Sequence, residues 1–175
     1  MKFNPTTLRD AWLIELEPVV DSRGYFARTF CVDEFAARGL ETNFAQHNVS
    51  FSARKGTIRG MHYQREPHGE VKLVRCIKGS VWDVIIDIRP GSPTYRRWQG
   101  FELSSANKNQ LYVPKGFAHG FQTLRDDVEI NYLISEPYSP QSSSGIRHDD
   151  SAFAIHWPLP VTEISSKDLQ WPDFT

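Results

Sequence analysis

The side chains best suited to chemistry fall in short stretches of the chain. His62 opens His62-Tyr63-Gln64, Lys72 lies between Val71 and Leu73, and His119 closes Pro114-Lys115-Gly116-Phe117-Ala118-His119. Imidazole exchanges a proton near neutral pH and can act as base or acid. An ammonium stabilises negative charge developing on an oxygen. A tyrosine, Tyr132 or Tyr138, would supply an acid. Such groups suit proton abstraction next to a carbonyl. Each also has a purely structural reading. A single histidine in a strand is more often a surface or satisfied core residue, and His47, His68, His148 and His156 keep that reading. Lys72 between two apolar residues fits a strand position facing solvent, and Tyr132 alternates with Ile130 and Ile134 as packing alone would require.

The Pro-x-Gly turn ahead of His119 resembles the second motif of the cupin superfamily, in which that histidine ligates a metal. The first cupin motif supplies His-x-His and then a glutamate. Here the second histidine is Gln64, and counting back from Gly79 places Lys72 where the glutamate belongs. A divalent cation needs neutral imidazoles and carboxylates, and an ammonium at a ligand position repels it. His68 and Glu70 lack the spacing to replace the lost ligands. The expectation is a cupin-like cavity without a metal, whose His62, Lys72 and His119 serve proton transfer.

The elements that must hold these residues read as strands. Residues 71–77 and 81–88 flank Lys78-Gly79-Ser80 and read as a hairpin, closed off by the turn Arg89-Pro90-Gly91-Ser92-Pro93. Residues 98–103, 110–113, 120–124 and 128–134 continue the series of short apolar runs. One short helix is predicted over 33–39, with an acidic start and a glycine stop. Ser142-Ser143-Ser144 reads as a local flexible loop, and the Pro- and Ser-rich tail from 159 to 175 as a wrap over the barrel. The pattern predicts an all-β fold, an antiparallel sandwich or jelly roll. With 175 residues, no internal repeat and no long linker, a single domain over 1–175 is expected.

Composition narrows the function classes. Lys and Arg total 20 against 21 Asp and Glu, so no basic excess exists to neutralise a phosphate chain and nucleic acid is not an expected partner. The most apolar stretch, 81–88, is interrupted by Asp83 and Asp87, so neither a membrane span nor a membrane partner is expected. The N-terminus has no apolar run after Lys2, so no signal peptide is expected. Two cysteines, Cys31 and Cys76, make no disulfide framework and favour a reduced, cytoplasmic setting.

Longer segments come in a specific order. They are Asp21-Ser22-Arg23-Gly24-Tyr25-Phe26, Arg59-Gly60-Met61-His62-Tyr63-Gln64, Lys72-Leu73-Val74-Arg75, Gly79-Ser80-Val81-Trp82-Asp83-Val84, Ser92-Pro93-Thr94, the stretch 114–121 and Ser166-Lys167-Asp168. Together, from about residue 2 to 172, they resemble the dTDP-4-dehydrorhamnose 3,5-epimerase family. The resemblance implies a cupin-type jelly-roll barrel, a homodimer with exchanged N-terminal strands, and no metal or organic cofactor. It implies that His62 is the general base, Asp168 its carboxylate partner, Lys72 the group that stabilises the enolate, and Tyr132 the acid on the other face. Asp83 would support the site from behind. Arg59, His119 and Lys167 would lie near the sugar and diphosphate, Gln46 and Asn48 in the cleft, and Tyr138 on the nucleotide base. Arg23 and Phe26 would come from the partner subunit.

The chain departs from the family pattern at three positions. Arg28 and Ser143 each stand where the pattern has glutamate, and Glu70 where it has glutamine. Arg28 and Ser143 belong to the substrate-binding set, and guanidinium for carboxylate exchanges acceptors for donors. A different nucleotide base, as in a CDP-sugar, or an altered sugar stays open, as does inversion at C3, C5 or both. Other readings are a ketoisomerase, a metal-dependent oxygenase and a non-catalytic nucleotide-sugar binding protein. Lys72 argues against the oxygenase, and the presence of His62, Lys72, Tyr132 and Asp168 together against the binder.

Overall fold

The computed structural model describes residues 1–175 and is nearly all-β, with two short helices. A six-stranded sheet runs in the order β1 (Lys2–Pro5), β2 (Trp12–Glu15), β10 (Gln110–Val113), β7 (Lys72–Lys78), β12 (Val128–Ile134), β5 (Gln46–Ser52). A five-stranded sheet runs β13 (Ser143–Gly145), β6 (Ile58–Gln64), β11 (Phe117–Thr123), β8 (Ser80–Asp87), β9 (Trp98–Ser104). A separate hairpin joins β3 (Val19–Asp21) to β4 (Gly24–Phe26). All strand pairs are antiparallel.

The sheets pack through a core of 14 buried residues drawn from both, among them Val74, Val113 and Ile130 facing Val81, Ile85 and Phe121. Both sheets are also covered on their outer faces. Leu73 packs outward with Ile14, Tyr112 and Phe35, the last from α1 (Val32–Ala36), which covers this side. Met61, Val84 and Ile86 pack behind the other sheet with Phe153, Trp157 and Phe174 of the C-terminal tail. Strands buried on both faces carry apolar residues without alternation.

That double burial explains one departure from the sequence expectation. β7 and β8 follow each other directly, yet they lie in different sheets and do not pair, so the hairpin read over 71–88 is not formed. Gly79, at φ +78°, turns the chain from one sheet to the other, and a Cβ there would meet Val128 Cγ2 at 2.9 Å. With apolar residues on both faces, nothing local distinguishes a hairpin from a crossing between sheets. A second correction concerns the serine run. Ser143 and Ser144 form β13 and pair with Gln64 and Tyr63, because backbone pairing to the edge of β6 needs no apolar side chain. The predicted helix is present, one residue earlier at its start and shorter than expected. No helix is long and apolar enough to cross a membrane.

Candidate active site

A cavity of about 630 Å³ opens between the two sheets, within the range of small-molecule sites. Its floor and walls come from β5, β7 and β12 of one sheet and β6, β11 and β13 of the other, closed on one side by tail residues 163–168. On β5, Gln46, Asn48 and Ser50 line the cavity, Val49 reaches its edge while largely exposed, and Phe51 is exposed. Glycine brings β6 and β11 together: Gly60 has φ +132°, and a Cβ on it would collide with Gly120. This close approach sets His62 directly opposite His119 in the ladder.

Nε2 of His62 donates to Oδ1 of Asp168 at 2.6 Å, which leaves the other ring nitrogen as the basic one. Asp168 sits in α2 (Ser166–Leu169), where its own N–H donates to the N-cap Ser165 Oγ at 3.1 Å. Burial opposes ionisation of Asp168, but His62, Ser165 and the Gly60 N–H outweigh it and hold the carboxyl below its ordinary value. The carboxylate is therefore charged at neutral pH and fixes the imidazole in one orientation.

Lys72 is buried toward the cavity rather than turned to solvent. Its Nζ donates to the His62 carbonyl oxygen at 3.1 Å and lies 3.0 Å from Glu70 Oε1. The ammonium still has donor capacity for a ligand. Tyr132, on β12 of the opposite sheet from His62, shares a 2.7 Å hydrogen bond with Ser50 Oγ. Burial pushes its phenol well above the usual range, with Ser50 pulling slightly the other way, so it keeps its proton at all ordinary pH. His119 donates through Nε2 to both oxygens of Asp83, at 3.0 Å each, and both side chains are buried.

The remaining sequence candidates divide into two groups. Arg59 lines the cavity and is held by Ser52 Oγ at 3.0 Å and the Phe51 carbonyl at 2.9 Å. Gln46, Asn48, Tyr138, Ser143 and Lys167 line it as well, Tyr138 being largely exposed. Arg23, Phe26 and Arg28 do not. Arg23 pairs with Asp21 at 2.6 Å, Arg28 pairs with Glu34 at 3.1 Å, and Phe26 stands exposed on its hairpin. Sequence reasoning missed Ser50 and Ser165, which hold Tyr132 and Asp168. The Ser165-to-Asp168 spacing is that of a helix N-cap and was a usable signal; Ser50, in a polar strand, offered none.

Comparison with known proteins shows the family. The family model described as dTDP-4-dehydrorhamnose 3,5-epimerase matches residues 5–175. The chain belongs to the dTDP-4-dehydrorhamnose 3,5-epimerase family. A dTDP-4-dehydrorhamnose 3,5-epimerase from Methanothermobacter thermautotrophicus is 45% identical over 97% of this chain and 92% of its own length. The crystal structure of the Bacillus anthracis epimerase, with TDP and PPi bound, superposes with a TM-score of 0.95 at 40% identity, covering 99% of each chain. The Legionella pneumophila epimerase, in complex with dTDP-4-keto-L-rhamnose, gives a TM-score of 0.90 at 38% identity over 96% of this chain and 89% of that one. The fold is thus shared with these epimerases over 96–99% of the chain.

Proposed function

We propose that this protein epimerises a nucleotide-diphospho-4-keto-6-deoxyhexose, converting dTDP-4-dehydro-6-deoxy-D-glucose to dTDP-4-dehydro-L-rhamnose. One observation carries the reading beyond family membership. The His62–Asp168 pair and the protonated Tyr132 reach one cavity from opposite sheets, with the Lys72 ammonium beside His62. Inversion of a carbon needs a base on one face and an acid on the other.

The C4 ketone acidifies the C–H bonds at C3 and C5. His62 takes the proton through the ring nitrogen not bound to Asp168, and the C–H electron pair forms a C=C bond to C4. The carbonyl π electrons move onto the C4 oxygen, where the Lys72 ammonium stabilises the enolate. The enolate re-forms the ketone as Tyr132 delivers its proton to the opposite face of the carbon. Solvent then reprotonates the phenolate and takes the proton from His62. Neither a metal nor an organic cofactor enters these steps.

Binding follows the charge distribution. Arg59 and Lys167 serve the diphosphate, His119 the sugar, Gln46 and Asn48 the cleft contacts, and Tyr138 stacks on the base. Ser143 bears on which base is accepted. We infer a cupin-type jelly roll and a homodimer in which Arg23 and Phe26 complete the partner's site. In support, the β3–β4 hairpin exposes Val19, Val20, Tyr25 and Phe26, apolar area that a second copy would cover. Two free cysteines fit a cytoplasmic setting.

Deuterium incorporation from D2O into dTDP-4-keto-6-deoxyglucose, followed by NMR, tests the assignment. Two deuterons, at C3 and C5, with a reduced product of inverted configuration, are the expected result. A single deuteron identifies a mono-epimerase and its carbon; none removes the proposal. Tyr132→Phe is expected to keep part of the exchange and lose inversion, since it removes the second proton donor and leaves the base.

A further inference from the structure

We propose that Glu70 binds the hydroxyl on C3 of the substrate, so that Lys72 and Glu70 together read the α-hydroxyketone unit of the sugar. This rests on the function proposed above and adds a specificity residue to it. Glu70 lines the cavity, and its side chain is only 11% exposed. Its single polar contact with the protein is Oε1 to Lys72 Nζ at 3.0 Å, and its second oxygen makes no protein hydrogen bond. Lys72 is already tethered to the His62 carbonyl at 3.1 Å, so its placement does not depend on Glu70 alone.

The chemistry of the pair decides what it fits. A carboxylate accepts several hydrogen bonds and donates none, so it repels a phosphate and a ketone oxygen and attracts a hydroxyl. The ammonium next to it does the reverse and takes the ketone. In a 4-keto sugar that still carries its C3 hydroxyl, these two oxygens sit on adjacent carbons, separated by about one hydrogen-bond length, ~3 Å. The donor and acceptor of the protein are spaced by the same 3.0 Å. A carboxylate nearly removed from water is costly unless charged and polar partners satisfy it. Lys72 supplies the charge, and a substrate hydroxyl supplies the second hydrogen bond. The pair also fixes which way the sugar lies, because turning the ring over would set the ketone against Glu70.

The test compares dTDP-4-keto-6-deoxyglucose with its 3-deoxy analogue, reading exchange of the C5 proton in D2O, which both sugars possess. Wild type is expected to favour the 3-hydroxy sugar in kcat/KM by roughly 10- to 100-fold, the range for a hydrogen bond to a charged group. Glu70→Leu should erase that preference, whereas Glu70→Gln, which keeps an acceptor oxygen, should retain most of it. A loss that is equal for both sugars in Glu70→Leu would show that Glu70 acts only through Lys72, and the inference falls. A wild type that takes both sugars equally overturns it without any variant, whatever the folding of the mutants. A wild type that exchanges neither sugar removes the epimerase reading itself, and this inference with it.

Discussion

Two imidazole–carboxylate pairs face each other across the β6–β11 ladder, and they are built alike but set differently. The His62 side chain is 42% exposed and that of His119 only 5%, while the carboxylates are 5% and 0% exposed. Asp83 reaches His119 from the neighbouring strand of the same sheet, in register with Phe121. Asp168 reaches His62 from a helical turn in the tail. The chemistry of a histidine–aspartate dyad is therefore not enough to name the base. What sets His62 apart, and favours it as the proposed base, is a partly exposed imidazole lining the cavity, backed by a carboxylate from a separate element. His119 is locked by hydrogen bonds to both Asp83 oxygens and stands at 6.5 Å, edge to face, from the Tyr132 ring.

The largest effect should come from the base itself. His62→Ala is expected to lower exchange at both C3 and C5 by about 10²–10⁴-fold in kcat, the range for general acid–base catalysis. His119→Asn should act mainly on KM and leave exchange measurable by the same NMR assay. If His119→Asn abolished exchange as thoroughly as His62→Ala, the contrast between the pairs would be broken.

The second effect is on stability and runs the other way. Asp83 is fully buried with His119 as its only side-chain partner, so Asp83→Ala leaves a buried imidazole N–H without an acceptor and should cost about 1–3 kcal/mol in urea unfolding. Asp168→Ala leaves His62 with access to water and should cost less, while lowering the rate more. Reversal of that order would mean that exposure does not divide the two pairs.

This contrast also explains what the sequence made legible. The runs at 110–113 and 128–134 match β10 and β12 residue for residue, because these strands pack an apolar core. β5 went unread, since its alternation is inverted: Gln46, Asn48 and Ser50 take the cavity side while Val49 and Phe51 are exposed, so no apolar face marks a buried strand. β6 likewise carries polar His62 and Gln64 at inward positions. Lys72 and Tyr132 were thus visible on strands that were read, whereas His62 was visible only as a residue type. The turn at Pro114–Gly116 was readable because Gly116 adopts φ +73°. The pairing of Asp168 with His62 spans 106 residues, and no local pattern encodes it; it came from the resemblance and is seen here at 2.6 Å.

The smallest effect separates the pairs by their response to acid. Asp168 has its carboxyl held below the ordinary 3.8, with burial opposing and His62 leading the groups that outweigh it. Below neutral pH the unfolded chain therefore takes up this proton before the folded protein does, and the group favours folding while it stays ionised. That contribution is complete above the unfolded value and is lost as pH falls through the depressed folded one. Asp168→Asn removes it at every pH. The stability gap between wild type and Asp168→Asn, from urea titrations, should be steady above about pH 5 and narrow below about pH 4. Asp87 is also held low, at about 2, where burial is outweighed by Arg89, Ser92 and Thr94. It is present in both proteins, so its own acid loss cancels in the difference. A gap that stayed constant through acid would mean that Asp168 gains nothing from His62 in the folded state, and the open pair would then be no better coupled than two separate side chains.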